Sequence, residues 1–175
     1  MRYQLVFLPA IVAAAPAMAD DFLTVAQAQS LIFPNATLTP ADFVLTDRQL
    51  AALKSEARVP VLRRQVKAWK VSTGGWFFLD QVIGRDDRVT YAIGIDSNGA
   101  VKDVEVLTCL AQYDGIRRLD WLAQFKGLRY GKIDVLDQVS VIAGSTLSTT
   151  HLTEGVKRML ATYNMFLAPK AAAAG

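Results

Sequence analysis

The sequence predicts an α+β fold, in which a small, mostly antiparallel sheet carries packed helices and follows a helical N-terminal segment. Residues 96–99 read Asp-Ser-Asn-Gly, which is a hairpin signal because an Asn-Gly pair tolerates positive φ at both central positions. Residues 101–107 alternate apolar and polar side chains, so they should pair back across that turn. Residues 151–166 carry an apolar stripe at helical spacing, which predicts a final packed helix.

The first part of the chain, residues 20–70, is predicted to be mostly helical. A first helix is indicated by apolar residues at helical spacing and should end at Pro34. Those apolar residues are Phe22, Val25, Ala28, Leu31 and Ile32. Thr46 or Asp47 is a suitable cap for a second helix, which should end at Pro60. Its buried face would carry Leu50, Leu53 and Ala57.

The second part, residues 71–168, is predicted to hold the sheet. Strands are predicted over 75–83 and 89–95, ahead of the hairpin turn, because these segments are rich in aromatic and β-branched residues. A further extended segment is predicted over 133–142. Residues 169–175 should form a disordered tail, since they are small and lie at the chain end.

Two helices are predicted to pack on this sheet. The shorter one spans 119–125 and should point Leu119, Leu122 and Phe125 inward. The final helix should bury one stripe of apolar side chains. The stripe consists of Leu152, Val156, Met159, Leu160, Tyr163 and Phe166.

Residues 1–19 have the form of a secretory signal peptide. Arg2 supplies the positive start, residues 5–15 are apolar, and residues 17–19 read Ala-Met-Ala, a cleavage pattern. The apolar run is shorter than the roughly 18 residues expected of a membrane span. We therefore expect the mature chain to begin at Asp20 and to reside in the periplasm or an equivalent exported space. An uncleaved N-terminal anchor is the alternative.

Charge and composition argue against several classes of function. The net charge of +3 is too small to predict nucleic-acid binding. Cys109 is the single cysteine, so it cannot form an internal disulfide, and its apolar surroundings predict a small buried side chain. With one cysteine and one histidine, His151, the chain is not expected to form a transition-metal site.

The segment that points to chemistry is a turn of small and hydroxyl residues between an apolar run and the last helix. Residues 143–149 read Ala-Gly-Ser-Thr-Leu-Ser-Thr, followed by Thr150. Gly144 would let the backbone approach a ligand, and the free N–H groups of a helix start attract an anion. This predicts a phosphate cradle; a simple N-cap is the alternative.

This turn resembles the Ser-Gly-Ala-Thr-x-Ser/Thr flavinylation motif of the FMN-binding domain family. The matching residues are Ala143, Gly144, Ser145, Thr146, Leu147 and Ser148. The family includes the periplasmic flavin subunits of the sodium-pumping NADH:quinone reductase and of Rnf-type complexes. The likeness extends over about residues 65–165. It includes Gly84, the predicted hairpin, the Gln-Phe-Lys-Gly segment 124–127 and residues 153–158.

The resemblance implies an exported electron-transfer flavoprotein with FMN joined through its phosphate to Thr146. It further implies cofactor contacts from Ala143, Gly144, Ser145, Leu147, Ser148 and Thr149. A flavin transferase would make the bond, and membrane or periplasmic redox proteins would be the electron partners. Residues 110–115 read Leu-Ala-Gln-Tyr-Asp-Gly, without the glutamate that many family members carry there.

Other features of the site stay open from sequence alone. Trp76, Trp121, Phe125 and Tyr113 are candidate walls for the flavin ring, although each also suits an ordinary core. His151 could cap the last helix, approach the flavin or be an ordinary helix-start residue. A non-redox module that binds a phosphorylated ligand noncovalently at the same turn is the alternative function, and an interaction domain with Thr146 as a cap is another.

Overall fold

A computed structural model describes residues 20–85, 87–109, 115–131 and 134–169. The fold is α+β, as predicted: a six-strand antiparallel sheet carries four helices, and the helix α1 (Val25–Ile32) precedes most of the sheet. The expected leader, the expected tail beyond Pro169 and the loop with Tyr113 lie outside the described residues. In the described part of the chain, no helix is long and apolar enough to span a membrane.

The sheet has the strand order β1-β7-β6-β5-β4-β2, with all neighbours antiparallel. Its strands are β1 (Asp20–Asp21), β2 (Leu38–Pro40), β4 (Gln65–Val71), β5 (Trp76–Ile83), β6 (Arg88–Ile95) and β7 (Val101–Cys109). A short additional strand, β3 (Phe43–Val44), pairs with the start of β4. The sheet therefore centres on β5, β6 and β7, which the sequence predicts as strands.

The first two helices begin at good N-cap residues, whereas the last two begin without a side-chain cap. Thr24 and Thr46 form capping boxes at α1 and at α2 (Asp47–Ala57), each with a glutamine three residues on. The short helix α3 (Leu119–Leu122) continues as a 3-10 turn, Ala123–Phe125. The final helix, α4, spans Thr146–Phe166 and so begins five residues before the predicted 151.

The hairpin between β6 and β7 is confirmed, but its turn differs from the predicted one. Among residues 96–99, Gly99 alone has positive φ, at +79°. The Asp96 carboxylate accepts the backbone N–H groups of Asn98 at 2.8 Å and Ala100 at 2.9 Å. The pairing register shifts next to the turn, between Gly94 and Ile95. The connection is therefore a bulged loop held by Asp96, with glycine needed at one position.

Both faces of the sheet are covered. On one face, α2 and α4 enclose the larger core with Phe78, Tyr91 and Leu160, all fully buried. On the other face, α1 packs a smaller core around Phe77 and Leu107. Within the stripe of α4, Leu152, Val156, Met159, Leu160 and Tyr163 are buried as predicted, and Phe166 is half-buried. Cys109 is also buried, as the sequence predicts.

Helix α4 is fixed to the sheet by a polar network beneath its middle turns. The Arg158 guanidinium donates to Asp80 Oδ2 at 2.5 Å and to the Pro60 carbonyl at 2.5 Å. The Tyr91 hydroxyl donates to the same Asp80 oxygen at 2.9 Å. Burial, followed by the charge of Asp80, raises the pKa of Tyr91 well above its usual value. The network joins β5, β6, α4 and the segment after α2.

Three local predictions were wrong. Gln65–Val71 is a strand within the segment predicted as mostly helical, with Val66, Ala68 and Val71 buried. Of the predicted extended segment 133–142, residues 134–142 do not form a strand, because Asp134 caps a 3-10 turn at Val135–Asp137 by accepting the Leu136 N–H at 3.0 Å.

The third error concerns the orientation of the short helix. Leu119 is 77% exposed, whereas Trp121 is buried together with Leu122 and Phe125. The prediction assumed a regular helix over the whole of 119–125. The chain instead makes one α-helical turn and then a 3-10 turn, so the residues that face inward change.

Candidate functional site

The segment that leads into α4 is hydrogen-bonded to side chains of α3 and of the 3-10 turn that follows α3. The indole Nε1–H of Trp121 donates to the Ser140 carbonyl at 2.6 Å, and the Gln124 side-chain oxygen accepts the Ser140 N–H at 3.0 Å. Both backbone groups of one residue are thus fixed by neighbouring side chains. These contacts give the Gln-Phe segment a structural role: it positions the chain that enters the small-residue turn.

The turn itself depends on a glycine. Gly144 has a φ of +84°, a conformation that side chains other than glycine rarely adopt. A Cβ on Gly144 would meet nothing within 4 Å, so the requirement is conformational rather than steric. The turn redirects the chain from the irregular segment into the first turn of α4.

The start of α4 lacks the side-chain cap found on the other two long helices. Ser145 is the N-cap residue, with φ −122° and ψ 24°, and its hydroxyl makes no capping hydrogen bond. The first N–H groups of a helix have no intrahelical partner, and the helix dipole places partial positive charge there. These donors are therefore suited to an anion, as the sequence predicts.

A cavity of about 300 Å³ opens at this helix start. It is lined by Arg85, Gly144, Ser145, Thr146, Leu147 and Ser148. Five of these six residues are predicted site residues, and the structure brings them together. Ala143 is exposed beside them but does not line the cavity.

The hydroxyl residues of this segment differ in how far they are exposed to solvent. Thr146, the first residue of α4, is exposed. Thr149 is fully buried, and its hydroxyl donates to the carbonyls of Ser145 and Thr146, at 3.0 Å each. Thr149 therefore faces the core and not the cavity, in contrast to its predicted cofactor contact.

Ser148 differs from its buried neighbour. It is 1% exposed and lines the cavity. A hydroxyl at a cavity wall is suited to donate to a ligand oxygen.

Arg85 is the site residue that sequence reasoning missed. It lies in the turn between β5 and β6, some sixty residues before the motif, and lines the same cavity as Thr146. Nothing in the local sequence connects it with the motif, although the neighbouring Gly84 belongs to the family resemblance. Arg85 is an exposed, cationic residue of the cavity lining.

His151 has a structural contact that fixes its role. Its Nδ1 lies 2.6 Å from the carbonyl oxygen of Ile83, the last residue of β5. Because a carbonyl only accepts, Nδ1 must carry the proton and donate. His151 therefore joins the second turn of α4 to the strand end, beside the turn that carries Arg85.

The aromatic residues considered as flavin walls lie elsewhere. Trp121 and Phe125 are buried and form an edge-to-face pair with ring centroids 5.2 Å apart. Trp76 stacks on Phe78 with centroids 6.3 Å apart. None of these three lines the cavity at Thr146, and Tyr113 lies outside the described residues. They belong to the cores described above.

Comparison with known proteins adds no family assignment. No protein-family model and no curated protein matches the chain. Among the described residues, no group of histidine, cysteine or acidic side chains could hold a metal ion. The site is therefore defined by its own geometry: the exposed Thr146, a helix start without a side-chain cap, and a cavity whose lining also includes Ser148 and Arg85.

Proposed function

We propose that this protein is an exported flavoprotein that carries FMN on Thr146, attached through its phosphate, and passes electrons outside the cytoplasm. One observation carries the proposal. Thr146 is an exposed hydroxyl at the first position of α4, in a cavity that also offers Ser148 and Arg85. The resemblance to the FMN-binding domain family supplies the identity of the cofactor.

The cavity residues fit a phosphate group better than an uncharged ligand. Backbone N–H groups at an uncapped helix start point toward anions, and the helix dipole favours negative charge there. The Ser148 hydroxyl adds a donor from the cavity wall. Among the described residues that line the cavity, none is acidic.

Attachment requires help from another protein. A threonine hydroxyl is a weak nucleophile, and the cavity-lining residues that the structure describes include no carboxylate or imidazole that could accept its proton. We therefore propose a flavin transferase as the maturation partner. In that step a phosphoanhydride of FMN is the donor: the bond from Thr146 Oγ to the FMN phosphorus forms, the anhydride P–O bond breaks, the second phosphate of the donor leaves with its substituent, and a base on the transferase takes the hydroxyl proton.

The rest of the chain would act as a carrier rather than as a self-contained enzyme. FMN supplies the electron-accepting ring when it is bound, and the protein supplies its attachment and surroundings. A covalent link keeps the cofactor from diffusing away in an exported space. The proposed electron partners are membrane or periplasmic redox proteins, and the protein would associate with a membrane through them.

Substitution of the hydroxyl residues tests the attachment site. After co-expression with a flavin transferase, denatured wild-type protein should show flavin fluorescence in a gel, and Thr146→Ala should show none. Thr146→Ser should retain part of the signal because the nucleophilic oxygen remains. The matched controls Ser145→Ala and Thr150→Ala should be labelled like the wild type.

Peptide mass mapping completes this test. The adduct should lie on the peptide that contains Thr146 and should weigh one FMN less water. An undiminished adduct on a neighbouring hydroxyl in Thr146→Ala would move the site. Reversible binding of FMN without any adduct would favour the noncovalent phosphate-binding module instead.

A further inference from the structure

We propose that the surface around Thr146 is a docking site for the flavin transferase, formed by the side chains of Val141 and Leu147 on the two limbs of the small-residue turn. The inference rests on the proposed function, because the transferase is the maturation partner proposed there. It deepens that function by naming the surface through which the two proteins would meet. Val141 lies outside the attachment motif and is not among the residues that line the cavity.

The first step of the argument is that hydrogen bonds within the chain close this turn. The Ser145 N–H donates to the Ile142 carbonyl at 3.0 Å, so the chain folds back on itself between these two residues. Gly144 takes the positive φ that the turn needs. Upstream, both backbone groups of Ser140 are bonded to side chains of the α3 region. A partner that docks on a surface already held in this way pays little conformational entropy.

The second step is that the turn exposes apolar side chains on both of its limbs. Val141, before the turn, and Leu147, after it, are each 55% exposed. Leu147 is the one large apolar residue of α4 that is exposed, whereas the apolar stripe of this helix is buried or half-buried. Ala143, on the turn itself, is exposed as well. Single exposed apolar residues are common, but several of them around one reactive hydroxyl are typical of an interaction site.

The third step concerns the kind of contact that this stretch of chain can make. No charged residue lies between Gln138 and Thr150. The stretch therefore offers a partner apolar side chains, hydroxyl groups and backbone groups, but no ion pairs. An apolar side chain that leaves water on binding contributes in proportion to the area that it buries. Val141 and Leu147 are the large apolar residues exposed in this stretch, so we expect them to provide most of its affinity.

The fourth step selects the partner. Transfer of the FMN phosphorus to Thr146 Oγ requires the active site of the transferase to reach this hydroxyl. Thr146 is exposed at the first position of α4, directly beside Leu147, so the enzyme must cover the neighbouring side chains during the reaction. An electron partner would meet the protein only after the flavin is attached. The attachment reaction itself therefore tests the docking surface.

The experiment measures flavinylation of the purified protein by a purified transferase over a range of protein concentrations, with FAD as the phosphoanhydride of FMN. Val141→Ser and Leu147→Ser should each raise KM about fivefold at nearly constant kcat, because they weaken binding without a change at the reacting hydroxyl. Leu31→Ser is the matched control, because Leu31 is 58% exposed on α1, which packs on the other face of the sheet. It should keep the wild-type KM.

Conservative variants separate docking from a loss of local structure. Val141→Ile and Leu147→Met keep the apolar surface, so their KM should stay close to that of the wild type. Urea unfolding should show the two serine variants to be about as stable as Leu31→Ser, because half-exposed side chains contribute little to the core. A merely structural role of either residue would instead lower stability and kcat together.

Thr146→Ala measures docking without the transfer step. This variant lacks the acceptor oxygen but keeps the surface, so it should inhibit labelling of the wild type competitively, with an inhibition constant near the wild-type KM. Addition of Val141→Ser or Leu147→Ser to Thr146→Ala should weaken this inhibition about fivefold. Addition of Leu31→Ser should leave it unchanged.

The outcomes separate the two proposals. If wild-type protein gains no adduct with an active transferase, the proposed function fails and the docking surface fails with it. If the adduct forms but Val141→Ser and Leu147→Ser match the wild type in KM, the docking surface alone is overturned. An equal rise in KM for Leu31→Ser would also overturn it, because the effect would then follow from any loss of exposed apolar surface.

Discussion

At the scale of single residues, solvent exposure distinguishes Thr146 from the neighbouring hydroxyl residues. In sequence, Ser145, Thr146, Ser148, Thr149 and Thr150 all look like possible acceptors. Helix α4 begins at Thr146, which turns Ser148 and Thr149 toward the protein and leaves Thr146 exposed. Because the sequence predicts a helix start at 151, it does not predict this difference in burial between the hydroxyl residues. The family resemblance points to Thr146, and the burial pattern leaves this residue the most exposed of the five.

Gly144 provides a prediction with an internal control. Gly144 and Gly127 both have positive φ, +84° and +79°, and a Cβ on either would meet nothing within 4 Å. Gly144→Ala and Gly127→Ala should therefore each lower the free energy of unfolding by about 1–2 kcal/mol. Urea unfolding measures this loss. We expect Gly144→Ala alone to slow flavinylation, because it distorts the turn before Thr146.

Gly127→Ala is the control for the effect of Gly144→Ala on flavinylation, because Gly127 lies away from the site. Gly127 follows α3 and bonds to Val101, at the start of β7, whereas the site lies beside the end of β5. Equal flavinylation of the two variants and the wild type would show that the glycine turn does not shape the site.

At the scale of elements, the sequence predicts the parts whose signals are local. Both capping boxes, the central strands and the β6–β7 hairpin follow from short patterns of neighbouring residues. Wrong predictions arise where a contact between residues that are distant in sequence determines the local structure. Asp134 forms an ion pair with Lys157 at 2.6 Å as well as capping its own turn, and this favours a 3-10 turn over the predicted strand.

The same limit applies to the site. The turn of small residues is visible in the sequence, whereas the place of Arg85 in the cavity lining and the contact of His151 with Ile83 follow only from the folded chain. Likewise, Trp121 and Gln124 reach Ser140 only in the folded chain. Patterns within one segment cannot predict such contacts between segments.

The packing of α4 on the sheet gives a prediction at this scale. A Cβ on Gly155 would lie 2.6 Å from the Tyr91 hydroxyl oxygen and 2.8 Å from Val82 Cγ1. Gly155→Ala should therefore destabilise the protein by about 1–3 kcal/mol from overpacking. This outweighs the gain of about 1 kcal/mol expected from helix propensity.

A double-mutant cycle identifies the cause of that loss. Tyr91→Phe removes the atom nearest to the new methyl group, so Gly155→Ala should cost less in the Tyr91→Phe background. Urea unfolding of the four proteins measures the coupling. A stabilising effect of Gly155→Ala in the wild-type background would contradict the close packing of α4 on β5 and β6.

At the scale of the whole molecule, the Asp80–Tyr91–Arg158 network ties the helices to the sheet and should make stability depend on alkaline pH. The pKa of Tyr91 is raised well above its usual value in the folded state, first by burial and then by Asp80. A raised folded-state pKa contributes stability that is fully present below the unfolded pKa near 10 and is lost as pH rises above it. Tyr130, whose pKa is raised to about 12 chiefly by burial, acts in the same direction.

Tyr91→Phe isolates the contribution of the network. At pH 8 the variant should be less stable than wild type by about 1 kcal/mol, through loss of the hydrogen bond to Asp80. At pH 11 the difference should shrink toward zero, because the wild type then loses the contribution of its Tyr91 phenol. Urea unfolding across this pH range measures the trend. A difference that grows with pH would contradict the assigned direction of the pKa shift.

Export and cofactor attachment involve the whole chain, because we propose that FMN is attached to Thr146 after the leader is removed. In the structure, Asp20 pairs with Cys109 at the end of β7, so a mature chain beginning at Asp20 would retain the first strand of the sheet. The proposed mature form therefore keeps all of the described fold. The expected leader contributes no described element to it.

The intact mass of protein recovered from the exported fraction of cells that contain a flavin transferase tests the central claim most directly. The wild type should have the mass of a chain beginning at Asp20 plus one FMN less water, and Thr146→Ala should have the mass of the same chain alone. A known substrate labelled in the same cells verifies that the transferase is active. Wild-type protein without the adduct under those conditions would contradict the assignment of this protein as a covalent flavoprotein.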